Sequence, residues 1–457
     1  MILNGFIPDN FDLPSWDKSF RELFRLQLRL YKCFFVQDTY QALYLQKLIL
    51  SSKSVRLLAI RDITQLDVQK RVAGIDGKLV LSFTERFLVS EDLKSNLNNW
   101  YSSVLKRVKM VDKSGSVSCI YISTVSDRCW QCIVKYSLEP AHDAFFLPRN
   151  LGYRPYISVH HLQKLFLLKL SKASYGYEKR VVCIDVKPCF NKFEYYYLLN
   201  KLLIPRSVKL GIFRLFNLGF VPIFYNSFLK SLDFSSLLAN IILDGSENIH
   251  SSIRFGYQIV FFLKPLDNEF IIYRKLKYFL SNIGLDFEKF NISLSSAYLG
   301  FDFMGWNFKV SSNGNCIAVP SHTNYQNFLQ RVKLIINNSN FGSDIKVSKL
   351  IPIIEEWKLY HRFSDFTKYK FSLFFVKKRA YKIFKKESKH DAYSAKKLVK
   401  KIFDFNYAVN KMQSIYFITL KGNFSFVHKS FWFDYWGFNT KKYDYFCVYC
   451  GIFRDYF

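Results

Sequence analysis

Residues 181–310 alternate short apolar runs with a helical period, and that alternation limits the fold more than any other feature. Val181, Val182, Cys183 and Ile184 form an apolar run that ends on an acid, Asp185. Helical spacing follows over 193–203, and residues 254–263 form a second strand candidate. Residues 299–310 supply two more short strands, punctuated by Gly300 and Gly305. Strand, helix and strand again predict an α+β chain with helices packed on a sheet.

An acid at a strand end invites metal chemistry. Two-metal phosphoryl transfer needs clustered carboxylates on adjacent strand ends, because the ions sit roughly 3.5–4 Å apart and clamp the reacting phosphate. The strand at 254–263 would supply the partners of Asp185, yet its centre holds Phe255, Gly256, Tyr257 and Gln258. A phenol and an amide do not replace two hard anionic ligands for Mg²⁺. Standing alone, Asp185 is read as a cap for the following helix. Asp233, Asp244 and Asp267 have no spacing that rebuilds a set.

Net charge is +30, a field that attracts polyanions and is costly to keep without a partner. Nucleic acid is the expected partner. Charge concentrates late in the chain: residues 346–404 hold 17 Lys or Arg against six Asp or Glu. Within 371–386, Lys377, Lys378, Arg379, Lys382, Lys385 and Lys386 crowd one side of a helical pattern whose apolar positions are Leu373, Val376, Ala380, Ile383 and Phe384. A second basic stripe, Arg21, Arg25 and Arg29, accompanies Lys47 in a region of two predicted helices over 16–50. With half its 457 residues apolar, the chain supports roughly two to four domains. Phe, Tyr, Lys, Ile and Asn rise together, the signature of an AT-biased gene. No apolar run reaches the ~18 residues that span a bilayer. Nine scattered cysteines, an odd number, make no disulfide framework, which points to a reducing compartment. The first residues, MILNGFIPDNFDLPSWD, carry neither a transit nor a signal pattern, so synthesis inside an organelle is expected.

Several short motifs remain. Gly74, Asp76 and Gly77 form a turn, and Lys113, Ser114 and Gly115 form a hairpin turn. Asp127, Arg128, Gln131, Leu138, Glu139 and Pro140 lie on one predicted helix, where Cys129 and Cys132 are core rather than redox residues. Leu151, Gly152, Tyr153, Arg154 and Pro155 follow, with His160 beyond. Arg154 serves either a phosphate or an internal carboxylate. Ser236 to Asn240 read SLLAN, continuing with Ile241 and Leu243. Pro352 opens a helical segment with Ile354, Trp357, Lys358, Tyr360 and Arg362, in which Trp357 is expected to be core.

These residues resemble the reverse-transcriptase domain of group II intron-encoded proteins, the intron maturases. Ile184, Asp185, Val186 and Phe190 nearly follow the family's first palm motif, D-I-x-x-x-F, with Val186 in place of its isoleucine. Residues 236–243 follow the end of S-P-L-L-A-N-I-x-L. Arg254 to Gln258 stand where the catalytic hairpin has R-Y-A-D-D, with Tyr257 and Gln258 in place of both aspartates. The Pro-Gln-Gly element is missing; 219–229 holds GFVPIFYNSFL. Asp127 to Pro140 and Gly152 to Pro155 match the D-R-x-x-Q…L-E-P and G-F-R-P motifs. Pro352, Ile354, Trp357, Tyr360 and Arg362 fit the maturase X motif, though Glu355 and Glu356 reverse its local charge. Cys447 and Cys450 look like the first pair of an HNH finger, with no second pair behind them.

The resemblance implies a right-hand fold in five parts: an N-terminal helical extension (1–80), fingers (81–180), a degenerate palm (181–318), a helical thumb or maturase X domain (319–410) and an aromatic tail (411–457). It implies an RNA-binding maturase of a degenerate, euglenoid-like kind, in a chloroplast sooner than a mitochondrion, that helps a group II or derived intron to splice. Reverse transcription is expected to be lost. The alternatives are a polymerase with rearranged metal ligands and a structural RNA-binding protein. The expected partners are structured intron RNA and other splicing proteins, and the candidate RNA-binding residues are Arg21, Arg25, Arg29, Arg154, Lys358, Arg362, Lys377, Lys378, Arg379, Lys382, Lys385 and Lys386. No cofactor is expected on the protein; Mg²⁺ belongs to the intron RNA, and Cys447 and Cys450 are weak zinc candidates.

Overall fold

A computed structural model describes residues 16–66, 81–111 without 104, 117–191 without 156, 195–218, 234–285, 291–387 and 392–403, with isolated positions beyond these. The chain is α+β. It opens with α1 (Trp16–Phe35), α2 (Thr39–Ser51) and α3 (Lys53–Arg61). The break between α1 and α2 is set by Asp38, whose side chain accepts the Gln41 N–H at 3.0 Å and so caps α2. Helix α4 (Phe83–Asn96) starts from a capping box between Ser82 and Glu85. Strands β1 (Lys106–Val111) and β2 (Val117–Ile122) pair antiparallel, and their turn with Lys113 to Gly115 lies outside the described residues. So do Gly74 and Asp76, while Gly77 takes a left-handed φ of 71°.

Helix α5 (Val125–Asp143) is central. Thr124 caps it, and Asp127 in its first turn accepts the Trp100 indole N–H at 3.0 Å and the Ser103 N–H at 3.2 Å. Cys129 and Cys132 are buried on it as thiols outside any disulfide, matching the core reading. Helix α6 (Val159–Lys169) follows, then β3 (Arg180–Asp185), α7 (Tyr195–Lys201), α8 (Arg206–Leu218) and α9 (Ser235–Leu243).

The segment 254–263 is not one strand. It is a hairpin of β4 (Ser252–Phe255) and β5 (Gln258–Leu263) around a two-residue loop, Gly256 and Tyr257. Gly256 has φ 62°, the positive value that a tight hairpin turn asks of its first loop residue. Helix α10 (Glu269–Asn282) leads to β6 (Asn291–Ser296). The four strands form one antiparallel sheet in the order β4-β5-β3-β6. Side-chain alternation then sorts the faces. Val182, Ile184, Ile259, Phe261 and Leu263 join the core shared with α1 to α5 and α7 to α10. Val181, Val260 and Phe262 face α6 and a second sheet of β7 (Phe301–Phe303), β8 (Trp306–Val310) and β9 (Cys316–Pro320). Strands β6 and β9 carry no clear signal in the sequence.

Four helices, α11 (His322–Ile336), α12 (Ser343–Tyr360), α13 (Lys370–Glu387) and α14 (Ala392–Ile402), enclose a core of their own. Pro352 does not open a helix; it lies inside α12, on an exposed position where one forgone i→i−4 hydrogen bond is tolerated. Trp357 is core as expected: it stacks on Phe328 at 4.2 Å, and its indole N–H donates to the Asn324 side chain at 3.1 Å.

A buried histidine on α6 ties this unit to the rest of the fold, and a second braces it from within. His160 on α6 bonds the Tyr360 carbonyl at 2.9 Å, and His361 bonds the Asn324 side chain at 3.1 Å. Burial, helped by Arg362, pulls His160 down to about 4; burial, helped by His160, pulls His361 down to about 3. Both stay neutral when folded, whereas the unfolded chain takes up their protons below the ordinary value of 6.5. Stability is therefore fully present above about pH 6.5 and is lost as pH falls toward the folded values. The urea midpoint is expected to drop between about pH 7 and about pH 5, and His160→Gln is expected to show a smaller drop over the same interval.

Candidate functional site

The antiparallel register sets Asp185 on β3 opposite Gln258 on β5 and opposite Asn291 on β6. At this end of the sheet the register thus sets the acid Asp185 between two residues that carry no carboxyl group. The half-buried Asp185 accepts the Lys187 N–H at 2.9 Å and so caps the 3₁₀ turn Lys187–Asn191. Tyr257 sits in the adjacent loop, its hydroxyl pushed up by burial and then by Tyr153. The other acids serve elsewhere. Asp267 lies past the far end of β5, where it bonds His250 at 3.1 Å and accepts the Lys264 N–H at 2.7 Å. Asp244 follows α9, its carboxyl raised to about 6 by burial and by Glu247. Asp233 lies outside the described residues. Among the described residues no three of His, Cys, Asp or Glu converge as a metal site. The donors in the row do not fit a pair of Mg²⁺ ions, which require several anionic oxygens.

The scaffold beneath that row is intact and heavily braced. Arg254 on β4 is fully buried and ion-paired to the equally buried Glu247. Its guanidinium also donates to the Asn240 side-chain oxygen at 3.0 Å and to the Gly256 carbonyl at 3.2 Å. Asn240 in turn donates to the Gly152 carbonyl. The loop 149–152 runs against β4: the Leu151 N–H donates to Arg254 O, and the Arg254 N–H to Arg149 O, each at 2.9 Å. Contact is so close that a Cβ on Gly152 would sit 1.8 Å from the Gly256 nitrogen, which is why position 152 needs glycine.

Arg154 belongs to the same brace. It is 1 % exposed, pairs with Asp143 at 2.6 Å, and donates to the carbonyls of Leu147 and Asn150. Of its two readings the internal carboxylate is correct, and Arg154 is removed from the RNA-binding candidates because its guanidinium does not reach solvent. The hairpin, the SLLAN segment and the loop at 152 are thereby joined. Glu247, Asp143 and the hub role of Asn240 carried no sequence signal beyond motif membership.

The cationic candidates divide by exposure. Arg21, Arg25 and Arg29 are exposed along α1, and Lys47 is exposed on α2. On α13, Lys378, Arg379, Lys382, Lys385 and Lys386 are exposed, while Lys377 is half-buried. Lys358 and Arg362 are half-buried too, the Arg362 guanidinium lying 4.7 Å over the Phe363 ring. Lys346, counted in the basic stretch, is buried in the helical unit. Helix α14 adds exposed Lys396, Lys397, Lys400 and Lys401, missing from the candidates although the charge count and helical period pointed to them. Cys447 and Cys450 lie outside the described residues. Among those residues no helix is long and apolar enough to cross a membrane.

Comparison with known proteins agrees. The family model described as the N-terminal domain of reverse transcriptase matches residues 13–93. Maturase-like protein 1 of Euglena gracilis is 44 % identical over 439 residues, covering 96 % of each chain. Maturase-like protein 1 of Euglena longa is 45 % identical over 442 residues, again covering 96 % of each. A braced, carboxylate-poor sheet, basic helices and identity along nearly the whole length place this chain in the maturase-like family related to reverse transcriptases.

Proposed function

We propose that the protein is an RNA-binding maturase that helps a group II intron to splice inside an organelle, a chloroplast in preference to a mitochondrion, and that it does not copy RNA. In this reading the chain keeps a right-hand plan: fingers over 81–180, a degenerate palm over 181–318 and a thumb over 319–410. The observation that carries it is the pairing of Asp185 with Gln258 and Asn291 at the sheet end, alongside the exposed cations of α13 and α14. Kinship with proteins named maturase-like supports it. The basic side chains offset repulsion between RNA helices that must pack closely, and the RNA with its own Mg²⁺ performs the transesterification. Other splicing proteins join the complex through the RNA.

Sequencing of RNA crosslinked to the protein is expected to recover one intron or a small set of introns. Broad recovery of ribosomal RNA would move the protein to the structural RNA-binding class. Primer extension on an RNA template with Mg²⁺ or Mn²⁺ is expected to give no product; DNA synthesis abolished by Asp185→Asn would overturn the loss of polymerisation.

A further inference from the structure

The outward face of α13 is not uniformly basic. Its first two turns expose Phe371, Phe374 and Phe375 at 80 %, 59 % and 65 %. Lys378, Arg379 and Lys382 continue the same face, since steps of three and four residues return to one side of a helix. The opposite side, with Leu373, Val376, Ala380 and Phe384, fills the core of the helical unit. Among the described residues the three rings add nothing to that core. Other helices also expose large apolar side chains, as α10 does with Phe270 and Tyr278 and α11 with Leu334; on α13 three exposed rings fall within two turns and run directly into exposed cations.

We propose that α13 is a platform for an unpaired RNA segment, with bases stacked on Phe371, Phe374 and Phe375 and the adjoining phosphates held by Lys378, Arg379 and Lys382. The assignment rests on the RNA-binding reading above and names the kind of RNA. A purely paired helix offers phosphates and 2′-hydroxyls but few free base faces, so it uses the cations and leaves the rings in water. An unpaired strand uses both, because every base has a face that stacks on an aromatic ring. Contiguity of exposed aromatics with cations favours that occupant over an apolar protein partner, which would have to bury the charges beside them.

The full-length protein is titrated with a single-stranded RNA of about 12 nucleotides carrying 2-aminopurine, and with a blunt RNA hairpin of equal phosphate number. Binding of the single strand is expected to quench the fluorescence. The variant Phe371→Leu/Phe374→Leu/Phe375→Leu keeps apolar surface without aromatic faces. It is expected to lose the quenching and at least about tenfold in single-strand affinity while hairpin affinity changes less than about twofold. Unchanged single-strand binding by that variant, or no quenching by the wild-type protein, overturns the platform; the latter is also the result if a protein or another segment of this chain covers the rings. Neutralising Lys378, Arg379 and Lys382 separates the two claims. If it weakens both RNAs while the leucine variant weakens neither, stacking falls and the RNA-binding reading stands. If neither variant affects either RNA, the platform falls and the RNA grip must lie on another surface.

Discussion

Arg254→Met is expected to cost about 3–5 kcal/mol of stability, because it strands a buried carboxylate. Glu247 and Arg254 are both fully buried and paired. Removing the guanidinium leaves the Glu247 charge without its partner in the interior. It also takes a donor from the Asn240 side chain and from the Gly256 carbonyl. A domain of ordinary stability holds only ~5–15 kcal/mol, so the variant is expected to be partly unfolded or to melt at much lower urea. The double variant Arg254→Met/Glu247→Leu tests the cause. With both charges gone no ion is stranded, and replacement of a whole buried pair is often near neutral. Most of the lost urea midpoint is expected to return. A single variant that unfolds at the wild-type urea concentration would show that the pair braces nothing.

That expectation concerns the scaffold under the hairpin loop and not its chemistry. The brace closes on the hairpin loop at Gly256 and Tyr257, the position at which a polymerase presents its acids. Here it presents a buried-leaning phenol and an amide. On the proposed reading, in which the protein does not copy RNA, carboxylates at 257 and 258 are dispensable. Loss of Arg254, Glu247 or Asn240 would open the core.

The sequence shows these two layers unequally. Apolar runs ending at Asp185 and the SLLAN helix were legible because periodicity and burial report the same fact. The absence of acids at 257 and 258 was legible because residue identity alone decides it. The brace was hidden: Arg154 meets Asp143, and Arg254 meets Glu247, through loops whose path no periodicity encodes. A buried arginine and an RNA-binding arginine look alike in sequence, which is why Arg154 stood among the surface candidates. Helix α12 was misplaced at Pro352 because proline usually marks a first turn, and its tolerance on an exposed mid-helix position depends on packing from the other side. Strand β6 escaped because its apolar positions sit on a sheet edge, with Ile292 and Leu294 partly in water.

The second large effect concerns the basic helices. Replacing Lys378, Arg379, Lys382, Lys385 and Lys386 with glutamine is expected to weaken binding of structured RNA by about a hundredfold at ~0.1 M salt. Each cation that neutralises a duplex phosphate releases a counterion, worth a slope of ~0.9 in log affinity against log salt. Two or three of the five in contact suffice for that loss. The salt slope is expected to shrink by about two to three units in the variant, and the two curves to converge at high salt. Fold stability is expected to change little, because these side chains are exposed and single surface substitutions stay within about 0.5 kcal/mol. Arg379 is the exception to watch, since its Nε donates to the Asn337 side chain at 2.9 Å. The matching change on α1, Arg21, Arg25 and Arg29 to glutamine, separates a single grip from two. If the RNA bridges both units, each variant lowers the slope and the combination lowers it additively; if α13 alone holds it, the α1 variant leaves the slope unchanged. An unaltered slope after the α13 change would mean that the cations of this helix face solvent and not phosphate, and the splicing role would then need another surface.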